Sequence, residues 1–356
     1  MHRTTPYTTE RTPQYTPPTP IRCWLIPTRP ASPRLGMLLI GVLLMTLLLS
    51  AFGSGAALAQ AWPNKPIKLI MPFSQGGAGD ITARLFAQYL EAQVKQPVVV
   101  ENRVGANGII GTEANKNAAP DGYTFQIVSN STHGANASLY KKLPYDTLKD
   151  FEHVGLFGSF GSVAVVPADS PIKSIADLTA FAKANPGKAF YAHYNSASHV
   201  GGALYTLRSG AALTGVPYKA LGNALTDLYG KQIHVIFMDY VSSTSHIAGG
   251  KLVPLAVTAK ERHKMWPQVP ALAETFPGFD QIAFLGLATP AGVPVDILNT
   301  LNRHMVGAMN DPTIRGKLES LGIITGTPSR EEYGRFVREQ MERWAGYVRD
   351  AKIQPE

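Results

Sequence analysis

The stretch Ile67-Lys68-Leu69-Ile70-Met71-Pro72-Phe73-Ser74-Gln75-Gly76-Gly77-Ala78-Gly79-Asp80 decides the fold. It predicts a buried strand, then a glycine-rich loop, then the start of a helix. The strand is almost entirely apolar, as expected of a parallel strand covered on both faces. Pro72 has no N–H group to donate to a neighbouring strand and therefore ends it.

The helix after this loop is predicted from its cap and its apolar spacing. Asp80 is placed as the N-cap, because its carboxylate can accept from the first free helical N–H groups. Ile81, Leu85 and Tyr89 then fall on one face with Leu90 beside them, and we expect that face to be buried.

The glycines at 76, 77 and 79 allow the backbone to approach a ligand closely. A helix N-terminus carries partial positive charge, so an anion is the ligand that this loop favours. A tight strand-to-helix turn without any ligand fits the same stretch equally well. The loop is not a G-x-G-x-x-G fingerprint, and the chain has no G-x-x-x-x-G-K-[ST] motif, so nucleotide binding is not indicated.

The first 59 residues are predicted to be a secretory signal peptide with a long n-region. Residues 37–52 are almost wholly apolar, Arg29 and Arg34 precede them, and Ala57-Leu58-Ala59 follows as an A-x-A cleavage site. A membrane anchor is the alternative, but an apolar run of about 16 residues is short for spanning a bilayer. The long n-region leaves open a translation start at Met37.

Charge and cysteine content narrow the function classes. The predicted signal peptide holds five Arg and one Glu, so its removal lowers the net charge from +8 to +4. No run of Lys and Arg with interleaved aromatic residues follows, and nucleic acid is therefore not predicted as a partner. The single cysteine, Cys23, lies in the removed segment. The mature chain then has no disulfide, thiolate metal site or cysteine nucleophile, and we predict no cofactor and no metal.

Beyond residue 62, β-rich runs alternate with helical runs, which predicts an α/β architecture. Four polar or glycine-rich loops follow predicted strands, at residues 73–80, 129–134, 195–199 and 239–243. Ligands bind outside the carboxyl ends of strands in open α/β sheets. The four loops, two in each half of the mature chain, therefore predict a ligand cleft between two lobes, each a mixed sheet flanked by helices.

The lobes are predicted from two strands that cross between them, at residues 163–167 and 284–288. Lobe 1 comprises residues 60–165 plus 284–356, and lobe 2 comprises residues 166–283. Two helices within them carry clear caps: Ser174 with Asp177, and Ser329 with Glu332. The last helix places a stripe of apolar residues on one face, predicted to be core: Phe336, Val337, Met341, Trp344 and Val348.

Several further stretches carry a resemblance to a known family. They are Trp62-Pro63-Asn64-Lys65-Pro66-Ile67, Pro72-Phe73 with Gly76-Gly77 and Asp80, Gln96-Pro97-Val98-Val99-Val100-Glu101-Asn102-Arg103, Ala118-Ala119-Pro120-Asp121-Gly122-Tyr123-Thr124, Lys142-Leu143-Pro144-Tyr145-Asp146, Lys149-Asp150-Phe151 and Val216-Pro217-Tyr218-Lys219. In this order they resemble the Bug solute-binding proteins, the TctC-like extracytoplasmic receptors of tripartite tricarboxylate transporters. The resemblance covers essentially all of the mature chain.

The resemblance implies a two-lobed periplasmic binding-protein fold, similar to type II, without catalytic activity. A protein of this kind captures a small organic carboxylate in the periplasm and delivers it to a permease with one large and one small membrane subunit. It is expected to act as a monomer. Backbone N–H groups and ordered water are expected to hold the ligand carboxylate.

The resemblance also implies where the ligand binds. The first loop is expected to contribute Phe73, Ser74, Gln75, Gly76, Gly77, Ala78 and Asp80. The facing loop is expected to contribute Asn195, Ser196, Ala197 and Ser198, and Ser131, Thr132 and Asp239 are expected to border the cleft. His133 and His199 lie in the same polar loops, and His133 is included among the predicted ligand residues.

Two departures from the family pattern bear on the ligand. Gln75 stands where the family usually has proline, and Ala220-Leu221-Gly222-Asn223 stands where it is glycine-rich. Gln75 adds hydrogen-bond donors, so the ligand is not restricted to the usual dicarboxylates. Phe73, Tyr194, Tyr218 and Tyr240 would favour an aromatic carboxylate if they line the cleft, although they fit a core equally well.

Two other functions and a binding mode through arginine are alternatives to this interpretation. An exported hydrolase is disfavoured because the chain has neither a G-x-S-x-G elbow nor an H-E-x-x-H motif. A receptor that docks to a periplasmic sensor domain in signalling remains open. Arg84 and Arg103 could clamp a carboxylate bidentately, but backbone amides are the preferred prediction.

Overall fold

The computed structural model describes residues 62–356. The predicted signal peptide and its cleavage site lie outside these residues. Within the described part of the chain, no helix is long and apolar enough to cross a membrane.

Ten strands form the sheet of residues 62–356: β1 (Ile67–Met71), β2 (Val98–Asn102), β3 (Thr124–Ser129), β4 (Phe151–Pro167), β5 (Ala189–His193), β6 (Leu213–Pro217), β7 (Val235–Asp239), β8 (Leu252–Val257), β9 (Ile282–Pro290) and β10 (Ile324–Thr325). The α-helices are α1 (Ala78–Val94), α2 (Ile109–Lys116), α3 (Asn136–Leu139), α4 (Ile175–Ala184), α5 (Ser196–Ser209), α6 (Leu221–Tyr229), α7 (Tyr240–Ala248), α8 (Leu272–Thr275), α9 (Val295–Asn310), α10 (Pro312–Ser320) and α11 (Arg330–Asp350). The predicted α/β class is confirmed. Helix α6 and strand β6 were not predicted.

The strands follow the order β2-β1-β3-β9-β4-β7-β5-β6, while β8 and β10 pair with β4 alone. Strands β2, β1 and β3 are parallel, and β9 enters antiparallel between β3 and β4. On the other side of β4, strand β7 is antiparallel to it, and β5 and β6 continue parallel to β7. Both parts of the sheet are therefore mixed.

Strand β4 joins the two parts of the sheet and is much longer than predicted. Its residues 151–161 pair with β9, whereas Ser162 onward pairs with β7 and Val163 onward with β8. The sequence predicted a strand only at residues 163–167, because glycines at 155, 158 and 161 lower the β-propensity of its first half. The predicted lobe boundaries stay a prediction.

The opening stretch folds as a strand and a helix, but the helix starts earlier than predicted. Strand β1 ends at Met71, directly before Pro72. Helix α1 begins at Ala78 with Gly77 as its N-cap, in extended backbone with φ −83° and ψ 172°. Asp80 is therefore the third residue of the helix, and its prediction as the N-cap was wrong.

The buried face of α1 also differs from the predicted one. Phe86 and Leu90 are fully buried, whereas Ile81, Leu85 and Tyr89 are only half-buried. Gly79 is the point at which α1 comes closest to β1. A Cβ placed on it would lie only 2.3 Å from Met71 Cε, so a larger residue would not fit there. The helix is rotated so that this small residue lets it approach the strand closely, which apolar spacing alone does not reveal.

The predicted caps of two other helices are confirmed. The Asp177 N–H donates to Ser174 Oγ at 3.1 Å at the start of α4, and Ser329 forms a capping box with Glu332 at the start of α11. On α11 the buried residues are Tyr333, Val337, Gln340, Trp344 and Val348, whereas the predicted Phe336 and Met341 are half-buried.

Candidate functional site

A cavity of about 280 Å³ lies at the carboxyl ends of the central strands. We call the residues that follow β1 and β3 its first wall, and the residues that follow β5, β6 and β7 its second wall. Apolar residues of the crossing strands, Phe160, Ala283 and Leu285, form its floor. This is the edge at which ligands bind in open α/β sheets.

Four helices begin at this cavity. Their N-cap residues are Gly77 for α1, Asn195 for α5, Ala220 for α6 and Asp239 for α7, and all four line it. The first N–H groups of a helix have no acceptor within the helix, and its N-terminus carries partial positive charge. The cavity is therefore an electrostatic environment that favours an anion.

The N-terminus of α1 is open towards the cavity. No side chain caps this helix. Gly76 has a φ of +82°, in the left-handed region that glycine adopts without strain. A Cβ built on Gly77 would come no closer than 3.9 Å to its neighbour, Ser242 Oγ. The loop therefore presents backbone to the cavity, with no side chain covering the helix end.

A hydrogen-bonded brace behind the first wall holds this loop in place. Asp80 accepts from the Gly76 N–H at 3.1 Å and from Asn102 Nδ2 at 2.9 Å. Asn102 Nδ2 also donates to the Phe73 carbonyl at 3.0 Å. Arg84 donates to both carboxylate oxygens of Asp80 at 3.0 Å. Asp80 itself is buried and does not line the cavity.

Burial has the largest single effect on the pKa of Asp80, and by itself it would raise that pKa and favour the protonated form. Hydrogen bonds from Arg84, Asn102 and Gly76 outweigh it and hold the pKa of Asp80 below its ordinary value. Asp80 is thus an ionised support for the loop, and Arg84 is engaged with it. Arg103, the other candidate clamp, pairs with Glu101 at 2.5 Å.

In the second wall, side chains cap the N-termini of two helices by accepting hydrogen bonds from backbone N–H groups. At α5, Asn195 Oδ1 accepts from the Ser198 N–H at 2.9 Å, and Ser198 Oγ accepts from the N–H groups of Asn195 and Tyr194. At α7, Asp239 Oδ1 accepts from the Ser242 N–H at 2.8 Å. Asp239 Oδ2 accepts from Tyr194 Oη at 3.1 Å and Ser242 Oγ at 3.0 Å.

Asp239 differs electrostatically from Asp80. Burial raises its pKa, and the opposing hydrogen bonds from Ser242 and Tyr194 do not restore the ordinary value. Burial and the nearby Asp239 charge also raise the pKa of Tyr194 well above its ordinary value, so Tyr194 stays a hydrogen-bond donor.

Direct hydrogen bonds join the start of α5 in the second wall to the first wall and to Asn107, which follows β2. Asn107 Nδ2 donates to Ser196 Oγ at 2.6 Å and to Asn136 Oδ1 at 2.8 Å. The Ser196 N–H donates to Ser131 Oγ at 3.3 Å. These contacts tie the start of α5 to the loops that follow β2 and β3.

A second cavity, of about 720 Å³, adjoins the first and shares Phe73, Val104, Tyr194, Asn195 and Lys219 with it. His193 and His199 line it with stacked rings whose centroids are 4.1 Å apart. Burial and the neighbouring His199 lower the pKa of His193 to about 3, and burial also lowers that of His199. Both rings are therefore neutral at physiological pH.

The structure brings together ten of the predicted ligand residues in the lining of the first cavity: Phe73, Ser74, Gln75, Gly76, Gly77, Ala78, Ser131, Asn195, Ala197 and Asp239. Five others lie outside that lining: Asp80, Thr132, His133, Ser196 and Ser198. Ser196 lines the second cavity, and Asp80 and Ser198 act in the brace and the α5 cap. Ligand contact by these residues remains a prediction.

Thr132 and His133 do not line the first cavity. Thr132 Oγ1 accepts from the Ser129 N–H at 3.1 Å and contacts His133 Nδ1 at 3.1 Å. The His133 ring is fully buried, with ring centroids of Phe151 and His153 at 4.9 and 5.6 Å. Burial lowers its pKa well below the ordinary value, which describes a neutral core residue.

The predicted ligand residues leave out several residues of the site, and three of them bear on its polar contacts. Asn102 braces the first loop, and Asn130 and Lys219 line the first cavity. Asn130 lies in the polar loop after β3, so its position in the sequence carried a signal. Asn102 and Lys219 stand in stretches that resemble the family, but their side-chain directions follow only from the fold.

The residues described in the structure contain no group of three or more His, Cys, Asp or Glu that could hold a metal ion. The charged side chains that line the first cavity are Lys219 and Asp239. Within residues 62–356 the cavity therefore offers backbone amides, a few polar side chains, one cation and the buried carboxyl group of Asp239.

Comparison with known families and sequences gives a consistent result. The family model described as "Tripartite tricarboxylate transporter family receptor" matches residues 82–353. Protein BugT of Bordetella pertussis is 34% identical over 296 residues, which cover 82% of this chain and 91% of BugT. A UPF0065 protein from the tcbD-tcbE intergenic region of a Pseudomonas species is 33% identical over 298 residues, covering 82% and 88%.

Solved structures give the same result. Rpa4515 of R. palustris, described with adipate, has a TM-score of 0.80 and 29% identity, covering 83% of this chain and all of that one. The periplasmic binding protein BugD has a TM-score of 0.78 and 29% identity at the same coverage. MatC from Rhodopseudomonas palustris, with bound malate, has a TM-score of 0.76 and 28% identity, covering 81% and 100%.

Proposed function

This chain belongs to the tripartite tricarboxylate transporter receptor family, and from that premise we propose that it captures a small carboxylate in the 280 Å³ cavity and delivers it to a membrane permease. The relatives are solute-binding receptors, not enzymes, and two structural neighbours are described with adipate and malate. The proposed place of action is the periplasm, and the proposed partners are the large and small permease subunits.

The single observation that carries the proposal is the open N-terminus of α1. A helix end with no side-chain cap faces a cavity, and the Asp80–Asn102 brace fixes the loop in front of it. Oriented N–H groups stabilise a carboxylate without a cationic side chain. The residues from Phe73 to Ala78 are proposed to bind the carboxylate, with Asn195, Ala197 and Ser131 opposite.

The proposal is tested by a thermal-shift panel on protein purified after expression of the full chain, and stripped of bound ligand by partial unfolding and dialysis. Adipate, malate, citrate, glutamate and benzoate are compared with neutral sugars. A carboxylate present at 100 times its dissociation constant adds about 2.7 kcal/mol of stability, seen as a raised midpoint. A shift with a sugar and none with any carboxylate would contradict the proposed ligand class.

Delivery needs a separate test in cells. In a strain that carries this gene and takes up the identified carboxylate, deleting the gene should abolish uptake. The wild-type gene should restore uptake, whereas a variant that no longer binds the carboxylate should not. Uptake that persists without the receptor would contradict the transport role while leaving carboxylate binding in place.

A further inference from the structure

Asn130 stands in the wall of the first cavity, immediately after β3 and before the helical turn at residues 131–135. Its side chain is only 5% exposed. The neighbouring residue Ser129 pairs with Leu285 of β9, which forms part of the cavity floor. Leu285 also lies close to α1, since a Cβ built on Gly79 would be 3.6 Å from its side chain. Asn130 and the start of α1 thus border the same end of the cavity.

The neighbours of Asn130 are all engaged in hydrogen bonds. Ser129 Oγ accepts from the Ser131 N–H at 3.2 Å, and Thr132 Oγ1 accepts from the Ser129 N–H at 3.1 Å. Ser131 Oγ accepts from the Ser196 N–H across the cavity. These bonds hold the loop without any help from the Asn130 side chain.

The Asn130 amide, in contrast, has a buried Nδ2 with no hydrogen-bond partner among residues 62–356. A buried amide donor without a partner is destabilising, because it has lost its hydrogen bonds to water. Rotation of the amide by 180° exchanges its nitrogen and oxygen at little cost in shape. As placed here, Nδ2 is a buried donor without a protein partner, on a residue that lines the cavity.

Its position distinguishes Asn130 from the other buried amides. Asn115 also has unpartnered side-chain atoms, but it lies in α2 and does not line the first cavity. Gln281 is anchored, since its Nε2 donates to the Ala197 carbonyl at 3.1 Å. Among the described side chains with unpartnered buried polar atoms, Asn130 is the one that lines the first cavity.

We infer that the Asn130 side-chain amide donates a hydrogen bond to a carboxylate oxygen of the ligand at the N-terminus of α1. This inference rests on the proposed function. Asn130 then supplies a side-chain contact to a carboxylate otherwise held by backbone N–H groups, and it completes its own hydrogen bonding only when the site is occupied. It is a specificity residue, because it forms a hydrogen bond with an ionised carboxylate and none with an apolar group at that position.

The test measures binding of the carboxylates in the panel above by isothermal titration calorimetry to wild-type protein, Asn130→Ala, Asn130→Asp and Asn115→Ala. Loss of a hydrogen bond to a charged group should weaken binding about 10- to 100-fold in Asn130→Ala. Asn130→Asp should weaken it further, because like charges then face each other. Asn115→Ala removes a buried unpartnered amide elsewhere and should bind as wild type does.

A second readout does not depend on the stability of the variants. In ¹H–¹⁵N spectra of wild-type protein, the side-chain amide pair missing from Asn130→Asp identifies Asn130. That pair should shift and exchange more slowly with solvent when the tightest-binding carboxylate is added.

The outcomes separate the inference from the proposed function. If wild type binds a carboxylate and Asn130→Ala binds it equally well, with no shift of the amide pair, the inference is wrong and the receptor function stands. If wild type binds no carboxylate, both fail. If Asn130→Ala and Asn115→Ala lose affinity equally, the effect is general destabilisation and the inference is overturned.

Discussion

The start of α1 in the first wall and the starts of α5 and α7 in the second wall share one sequence pattern, a strand followed by a polar loop and a helix, but their N-termini are completed differently. Helix α6 of the second wall, with Ala220 as its N-cap, resembles α1 in having no side-chain cap. At α1 the N-cap is a glycine and no side chain covers the helix end. At α5 and α7 the N-caps are Asn195 and Asp239, whose side chains accept from the third residue of each helix. A polar loop at a strand end therefore presents free amides only where its own side chains leave them uncapped.

The buried acidic residues of the two walls also have different structural roles. Asp80 lies behind the first wall and stabilises the loop that faces the cavity, whereas Asp239 lies in the second wall and caps its own helix. Both carboxylates are buried, yet one has a lowered pKa and the other a raised one. The partner Arg84 accounts for much of that contrast.

The largest effect is expected from closing the open helix end with Gly77→Val. The Cβ itself is tolerated, but the branched methyl groups would fill the space between Gly77 and Ser242. Carboxylate affinity should fall more than 100-fold, while the unfolding midpoint changes little. Calorimetry and thermal unfolding measure the two quantities. Gly316→Val, at an exposed site with open space around it, is the control. Normal binding by Gly77→Val would show that α1 does not hold the ligand.

A smaller effect is expected when the brace is removed with Asp80→Ala. The Gly76 N–H and Asn102 Nδ2 then lose their shared acceptor, so the loop is less ordered before ligand binds. We expect about 10-fold weaker binding and a loss of about 1–3 kcal/mol in the free energy of unfolding. Asp121→Ala, which removes an exposed ion pair with Lys65, is the control. Unchanged affinity together with lost stability would separate Asp80 from ligand binding.

The smallest effect is expected in the pH dependence of the free energy of unfolding, through Asp239 in the second wall. The pKa of Asp239 is raised above its ordinary 3.8, so the folded protein binds more protons than the unfolded chain in the window that begins near pH 3.8. The free energy of unfolding of wild type relative to Asp239→Asn should therefore fall as the pH rises through that window. Asparagine still caps a helix but does not titrate. Urea unfolding of both proteins from pH 3.5 to 7 measures this difference in unfolding free energy. A difference that rises with pH would refute the raised pKa of Asp239.

Much of this arrangement was predictable from local sequence. The apolar run before Pro72, the side-chain cap at Ser174, the capping box at Ser329 and the polar loops after strands follow from rules that act over a few residues. Helix α1 started at a different residue than predicted, because a glycine in extended backbone took the N-cap position ahead of a better side-chain cap. The first half of β4 was missed, since its pairing with β9 overrides the low β-propensity of its glycines.

The sequence by itself determined the α/β class, the four loops at the cavity and the family to which the chain belongs, since these depend on local patterns and on ordered matches along the chain. Only the tertiary structure decided which polar side chains remain available to a ligand. Asp80 and Ser196 are engaged by partners that the fold brings together, and Asn130 Nδ2 is left without one. Hydrogen-bond satisfaction is a property of three-dimensional neighbours, and the position of a residue in a loop does not specify them.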